Sequence, residues 1–241
     1  MKKLLSLAFL VFLLLAQPVQ AGLIWYSNFD QNTGTTVTPN IGTQTCAFTN
    51  SPTWVTGKFN FGIDFDAGTV DYLDCGTTSI LSTDNWTIAA WIKLEASATF
   101  RNVINIGDDD GAAVSGVVFN VKDGDTLACK TYTGTNVSNI ATSSASIDET
   151  GNVWTHVACR KSGTAITIWI NGVQDGSATA ASSTMDYTGD LVKFRIGAEN
   201  TDEAPFLGQT DEVRVYDSVE DPPVIFAINP MRRPMAPIFF Q

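Results

Sequence analysis

Residues 154–172, Trp154-Thr-His-Val-Ala-Cys-Arg-Lys-Ser-Gly-Thr-Ala-Ile-Thr-Ile-Trp-Ile-Asn-Gly172, leave the chain little choice but antiparallel strands. Ile166, Ile168 and Ile170 alternate with Thr167, Trp169 and Asn171, the period-two pattern of a strand with one face on a core. Asn171-Gly172 supplies the pair of positive-φ residues that a tight type I′ hairpin needs, so Val173 onward turns back on the isoleucine strand. Lys161-Ser162-Gly163-Thr164 is a second turn just upstream, and three consecutive antiparallel strands follow from this stretch alone.

The rest of the chain reads the same way. Leu23 to Asp30 is a first strand ending at an acidic residue, followed by a Thr/Asn/Gly-rich loop to Asn40. Between Lys58 and Asp66, Phe59, Phe61, Ile63 and Phe65 share one face and Asn60, Gly62, Asp64 and Asp66 the other. Val70 to Cys75 is read as the hairpin partner of that strand. Asn85 to Leu94 is apolar on both faces and belongs in the middle of a sheet or against a second layer. Further short strands fall at 103–106, 117–121, 126–131, 194–197 and 212–216, and no long helical period occurs. Many short strands with Gly, Asn and Asp turns predict an all-β fold, an antiparallel two-sheet sandwich with loops at its rims.

Three segments divide the chain. Lys2 and Lys3, the apolar run Leu4 to Ala16 and Val19-Gln20-Ala21 form the three parts of a signal peptide over 1–21. That run is too short to span a bilayer comfortably, and nothing later is long and apolar enough, so a secreted, periplasmic or extracellular protein without membrane insertion is expected. Residues 22–220 hold the sandwich. From Asp221, Pro222, Pro223, Pro230, Pro234 and Pro237 predict an extended tail over 221–241 with neither helix nor central strand.

With Asp+Glu 25 against Lys+Arg 14, the net charge of −11 repels phosphate backbones and anionic lipid, which argues against nucleic-acid partners. The four cysteines allow three pairings, and no spacing is that of a zinc knuckle or a C-x-x-C motif. The preferred pairing is local, Cys46 with Cys75 and Cys129 with Cys159. The second pair lies on strands separated only by a Ser/Thr-rich loop, which antiparallel pairing brings side by side.

Four segments resemble the laminin-G-like, concanavalin A-like jelly-roll family: Phe29-Asp30, Trp86-Thr-Ile-Ala-Ala-Trp-Ile-Lys93, Trp154-Thr-His-Val-Ala158 through Ile170-Asn-Gly172, and Phe206-Leu-Gly-Gln-Thr-Asp-Glu-Val-Arg-Val-Tyr216. They occur in the family's order and span most of Leu23 to Glu220. The resemblance implies a concanavalin A-like jelly roll, a fold that hosts lectins, adhesive modules, carbohydrate-binding modules and glycanases. It also implies calcium at Asp30 and Asp211, the positions matching those where related domains often hold the ion. Asp108-Asp109-Asp110, between two glycines, is an alternative, with Asp108 and Asp110 as its ligands.

Catalysis finds little support. A glycanase needs two carboxylates about 5–9.5 Å apart, and the closely alternating Glu/Asp run of the superfamily's glucanases is missing. Asp148-Glu149 and Asp202-Glu203 are adjacent pairs that read as solvated loop acids. His156 is the only histidine and matches a structural strand position, which makes it a packed or surface residue and rules out a multi-histidine metal site. Trp54, Tyr72, Tyr132 and Tyr187 lie near turns and are candidate sugar-stacking aromatics, whereas Trp86, Trp91 and Trp154 fit a core. Asn85-Trp-Thr87 and Asn136-Val-Ser138 fit the glycosylation acceptor pattern. The expectation is a secreted, non-enzymatic module recognising a glycan or an extracellular protein surface, with calcium as a loop organiser. The alternatives are a structural subunit whose Pro-rich tail docks on a neighbour and, more weakly, an atypical glycanase.

Overall fold

The computed structural model describes residues 22–66, 68–96, 100–108, 114–133, 138–189, 192–200 and 204–227. The signal segment 1–21, the tail beyond Ala227, Asp110, Asn136 and the pair Asp202-Glu203 lie outside the described residues. In chain order the strands are β1 (Leu23–Ser27), β2 (Thr36–Val37), β3 (Cys46–Thr49), β4 (Thr53–Thr56), β5 (Phe61–Phe65), β6 (Tyr72–Asp74), β7 (Trp86–Leu94) and β8 (Arg101–Asp108). They continue as β9 (Ser115–Val121), β10 (Thr126–Tyr132), β11 (Ser138–Ser146), β12 (Thr155–Ser162), β13 (Ala165–Ile170), β14 (Val173–Thr179), β15 (Lys193–Ile196) and β16 (Gly208–Tyr216), and a short helix α1 (Pro222–Ala227) follows.

Two eight-stranded antiparallel sheets form the sandwich. The first runs β14-β13-β12-β7-β16-β5-β4, with β1 also on β16, and the second runs β11-β10-β9-β8-β15-β6-β3-β2. Their inner faces bury one core that includes Trp25, Ile63, Phe65, Trp86, Phe119 and Phe194. Each such side chain contributes roughly 1.5–3 kcal/mol of transfer free energy. The hairpin at the heart of the first sheet forms as its residues predict: Asn171 (φ 49°) and Gly172 (φ 77°) turn the chain so that Ile170 pairs with Val173. β7 is central, between β12 and β16. Its double-sided apolarity has a cause on each side. Trp86, Ile88, Ala90 and Ile92 enter the main core, while Ala89 joins a second cluster with Leu23, Tyr26, Ala158, Tyr216 and Ile225 of α1.

β16 has an unusual role. On one edge it pairs with β7; on the other, Gly208 to Thr210 pair with β5 and Val213 to Tyr216 pair with β1. The change of partner falls at Asp211 and Glu212, where the register with β7 also shifts and Glu212 takes a left-handed φ of 55°.

Several expectations are corrected. β5 and β6 are not a hairpin: β5 lies in the first sheet, and β6 pairs with β3 and β15 in the second. Alternation reports which face is buried and says nothing about which strand lies alongside. The connection crosses between sheets through Val70 at φ 53°, and the Asp71 carboxylate accepts from Ser51 N, Asp66 N and Thr69 Oγ1. The Phe59 alternation also ends early, because Asn60 is left-handed and Phe59 packs edge-on against Trp91 on the outer face. The loop before Asn40 contains the two-residue strand β2.

The Ser/Thr-rich stretch after Cys129 is strand β11, which turns only a few small residues such as Ala141 inward. Cys129 on β10 and Cys159 on β12 therefore belong to different sheets, and their disulfide ties the layers together instead of joining neighbouring strands. Cys46 at the start of β3 is bonded to Cys75, the residue that follows the adjacent strand β6.

The expected tail begins with a helix. Pro222 and Pro223 occupy its first turn, where the missing N–H has no intrahelical acceptor to lose, so proline starts α1 without breaking it. Ile225 is fully buried, and the Phe226 ring lies 5.6 Å from both Trp91 and His156. His156 is itself fully buried beside Trp91, and neither ring nitrogen has a hydrogen-bond partner among the described residues. Burial, aided by the Arg214 charge, pushes its pKa down to about 3 from 6.5. The unfolded chain therefore takes up this proton first, and the group's contribution to stability is complete above pH 6.5 and drains away as pH falls toward 3. The slope reaches about 1.4 kcal/mol per pH unit. Urea unfolding from pH 7 to pH 4 is expected to be flatter by about one proton in His156→Phe, with stability at pH 7 equal or higher.

Candidate functional site

Two places on the sandwich collect polar side chains. The first is the partner change on β16. The Asp211 carboxylate is fully buried, one oxygen accepting from Phe59 N (2.9 Å) and the other from Glu212 N (2.7 Å). Asp30 accepts from Phe61 N (3.3 Å), Asn28 Nδ2 (2.8 Å) and Asn60 Nδ2 (3.1 Å). The two acids expected to act together thus hold the same turn, Lys58 to Phe61, where β5 begins and the chain leaves β1. Burial raises the Asp211 pKa to about 9, with the negative charges of Glu212 and Asp30 adding to the effect. Glu212 is also raised by burial; one of its oxygens takes hydrogen bonds from Tyr26 Oη and Arg214 Nη2, and its Oε1 is buried without a partner among the described residues.

An all-oxygen, net-negative set suits a hard cation such as calcium. Among the described residues no group of three or more His, Cys, Asp or Glu side chains is placed to hold a metal, so an ion here would draw on two carboxylates plus carbonyl or water oxygens. Asp108 lies elsewhere, buried at the end of β8 in the second sheet, and accepts from Asn200 Nδ2 at 3.0 Å.

The second place is the outward face of the second sheet. Where Ile104, Ile106, Phe119, Val121, Phe194 and Ile196 point to the core, strand alternation turns Asn105, Asn120 and Arg195 the other way. Register builds one row straight across the sheet: Lys130 opposite Val118, Val118 opposite Asn105, Asn105 opposite Arg195, and Arg195 opposite Asp74. Asn102 and Asn120 face each other on β8 and β9. The side-chain oxygens of Asn102, Asn105 and Asn120 are buried, and none has a hydrogen-bond partner among the described residues. A neighbouring loop is pinned over one side of the face. Asn200 accepts from Asn105 Nδ2 and donates to Gly107 O (3.1 Å), Asn102 Nδ2 donates to Glu199 Oε2 (3.2 Å), and Arg195 Nη1 donates to Asn200 O (3.1 Å).

Two of the four candidate aromatics flank this face. Tyr132 on β10 sits under Lys130, whose Nζ is 5.0 Å from the ring, and Tyr72 on β6 sits under Arg195 at 4.3 Å. Four strand steps separate β10 from β6, roughly 19 Å at 4.7–4.9 Å each. Both rings are buried, so they are walls of the face and not open platforms. Trp54 lies on β4 in the other sheet, packed on Phe48 and bonded to Gly34 O, and Tyr187 Oη is bonded to Thr83 O at the rim. Asp148 is an exposed loop acid that caps Thr150, and Asn85 is exposed with its Oδ1 taken by Gly163 N. The asparagines and Arg195 were not singled out by sequence, yet Asn105, Asn120 and Arg195 are each a polar residue between two apolar ones, as in Ile104-Asn105-Ile106 and Phe194-Arg195-Ile196, whereas Asn102 follows Arg101 and carries no such signal. That signal marks a face turned away from the core that still carries chemistry.

Two antiparallel sheets packed face to face, with a polar outer face flanked by loops, define a lectin-like β-sandwich. The sequence matches the family described as the Concanavalin A-like lectin/glucanases superfamily over residues 67–225, and the chain belongs to that family. No curated protein matches the sequence. Among solved structures, the chain is similar to domain 4 of AbnA, a GH43 extracellular arabinanase from Geobacillus stearothermophilus, in complex with arabinotriose. The TM-score is 0.66 at 20% identity, covering 86% of this chain and 98% of that one. The botulinum neurotoxin serotype D binding domain gives 0.61 at 15% identity over 86% of this chain, which spans 51% of that domain. The CBM40 of the Ruminococcus gnavus IT-sialidase, bound to α2,3-sialyllactose, gives 0.51 at 13% identity over 61% of this chain and 83% of that one. These likenesses establish the fold.

Asn200 is the keystone of the loop over the asparagine face. Asn200→Ala removes the hydrogen bonds that Asn200 makes to Asn105 Nδ2, Gly107 O and Asp108, and a buried polar group left unpaired costs about 1–3 kcal/mol. The variant is expected to lose at least about 2 kcal/mol in urea unfolding. Hydrogen exchange should show faster exchange at Ala198 to Asn200 while the β12–β13 hairpin keeps its protection.

Proposed function

We propose that this chain is a secreted, non-enzymatic carbohydrate-recognition module whose ligand lies on the outward face of the second sheet. The observation that carries the reading is the set of three asparagine oxygens on adjacent strands, buried and without partners among the described residues. Buried acceptors are ordinarily satisfied, and sugar hydroxyls are the donors that fit a cluster of amide oxygens. Tyr72 and Tyr132 flank the face, and Lys130 and Arg195 add donors to it. Support also comes from the arabinotriose and α2,3-sialyllactose complexes of similarly folded domains. The non-enzymatic reading is supported by the carboxylates that reach the face: Asp74 lies 3.9 Å from Arg195, and Glu199 accepts from Asn102. Export is supported by the residues of the amino-terminal segment and by the two disulfides, which persist in oxidising compartments. No helix among the described residues is long and apolar enough to cross a membrane.

Calcium belongs to this reading as an organiser of the turn that begins β5, held by Asp30 and Asp211. An ion there would offset the charge repulsion and desolvation that raise Asp211.

Titration of the mature protein with an oligosaccharide panel that includes arabinotriose and α2,3-sialyllactose, followed by amide NMR, tests the face. At least one sugar is expected to shift amides of β8, β9 and β15, and Asn120→Ala is expected to weaken it about three- to tenfold, the worth of one hydrogen bond, with an unchanged melt. Binding that ignores the substitution, no binding across the panel, or sugar release from polysaccharides overturns the proposal. For calcium, the wild type is expected to melt several degrees higher in calcium than in chelator and Asp211→Asn to melt equally in both; equal melts of the wild type remove the ion.

A further inference from the structure

At the start of β15, two residues before Arg195, a rim pocket of about 630 Å³ lies between the loop that joins β6 to β7 and the loop that joins β14 to β15. Its size falls within the roughly 300–1,000 Å³ of small-ligand sites. Its walls are braced at the base. Tyr187 Oη donates to Thr83 O (2.8 Å), Met185 N donates to Asp84 Oδ1 (2.7 Å), and Lys161 Nζ donates to the carbonyl oxygens of Asp84 (2.9 Å) and Ser183. These bonds join one loop to the other, so the pocket is preformed and pays little ordering entropy on binding.

The lining has a particular chemistry. Thr77, Thr78 and Ser82 present exposed side chains whose hydroxyls are not engaged by any described residue. Leu81 forms a buried apolar floor, and Tyr187 an aromatic wall. Lys193, half-buried at the mouth, makes no ion pair or side-chain hydrogen bond with a described residue, although acids outnumber bases 25 to 14 in this chain. Lys58 lies over Trp91, Lys93 over Trp154, Lys130 over Tyr132, and Lys161 is bonded to carbonyls, whereas Lys193, like Lys122 in a distant turn, is not engaged by a described residue. An ammonium with no partner among the described residues, beside hydroxyls, an apolar floor and an aromatic wall, suits a ligand with one negative charge, several hydroxyls and an apolar C–H face. Polyanions are disfavoured by the net charge of −11.

We propose that this pocket is a subsite for an acidic sugar, with the carboxylate of a uronic acid residue on Lys193, ring hydroxyls on Thr77, Thr78 and Ser82, and the C–H face on Leu81 and Tyr187. It adds to the asparagine face and does not depend on it. A charge-assisted hydrogen bond is about twice as strong as a neutral one, so the carboxylate should dominate selectivity.

The test is amide NMR titration of the mature protein with methyl β-D-glucuronide, methyl β-D-glucoside and acetate, on wild type and Lys193→Met. The glucuronide is expected to shift the amides of Thr77 to Ser82, Tyr187 and Lys193 and to bind about tenfold tighter than the glucoside; Lys193→Met should erase that preference. Equal binding of the two glycosides, acetate binding as tightly as the glucuronide, or a preference that survives Lys193→Met overturns the assignment. The outcome is separable from that of the asparagine face, because shifts confined to β8 and β9 that persist in Lys193→Met leave the face standing and remove the subsite.

Discussion

Strand β16 can serve three neighbours only because its backbone is broken at Asp211 and Glu212. A regular strand offers one row of hydrogen bonds to each side, and β16 gives one whole side to β7. The other side is shared between β5 and β1, which approach from sequence positions far apart. The left-handed Glu212 separates the two halves and turns two carboxylates toward the gap. Everything at the junction follows from that break: Asp211 caps the Phe59 amide, Asp30 caps the Phe61 amide, and Gly57 has no room for a Cβ, which would come within 2.7 Å of an Asp211 oxygen. The chain's first and last strands are thereby fastened together at a buried, electrostatically costly point.

The two outer faces of the sandwich were put to different uses by their side chains. On the first sheet the outward positions of β7, β12 and β16 include Ala89, Trp91, His156, Ala158 and Tyr216, and α1 lies over them with Ile225 and Phe226. Apolar matter covered by apolar matter makes a third layer. On the second sheet the equivalent positions mix Val118, Tyr72 and Tyr132 with asparagine, arginine and lysine, and the loop carrying Glu199 and Asn200 covers the polar ones by bonding to them. The packed face is closed by apolar contact, with both His156 ring nitrogens left without a partner among the described residues, whereas on the second sheet the orphaned groups are the asparagine oxygens.

Local chemistry explains which parts of this were legible in the sequence. Asn171-Gly172 permits one tight turn, so the hairpin and the inward isoleucines could be read directly, though not the register shift between Ile168 and Trp169. The double-sided apolarity of β7 was legible for the same reason. Partner choice was not: nothing in Phe61 to Phe65 tells that β4 and β16 lie alongside and that β6 lies in the opposite layer. The Ser/Thr content of β11 hid a strand, because an edge strand needs few apolar residues, and with β11 hidden the Cys129–Cys159 bond looked like a link between neighbours. Prolines concealed α1, whose first turn tolerates them. At the β16 junction the family resemblance supplied Asp30 and Asp211, and the structure brings both to one turn. The asparagine face and the Lys193 pocket depend on register and on loop packing, which no local pattern encodes.

The way the sandwich closes along one side bears on how the molecule behaves among its own copies. β11 and β14 are terminal strands of different sheets, and an open strand edge is a template on which another chain can continue the ladder. Here the template is blocked from within. The Asp175 carboxylate on β14 accepts from Ser144 N and Ala145 N on β11, and Gly176 lets the strands approach so closely that a Cβ there would lie 2.4 Å from Thr142 O. A molecule sealed this way can be concentrated at a surface without growing into filaments from that side, and a single aspartate guards the seam.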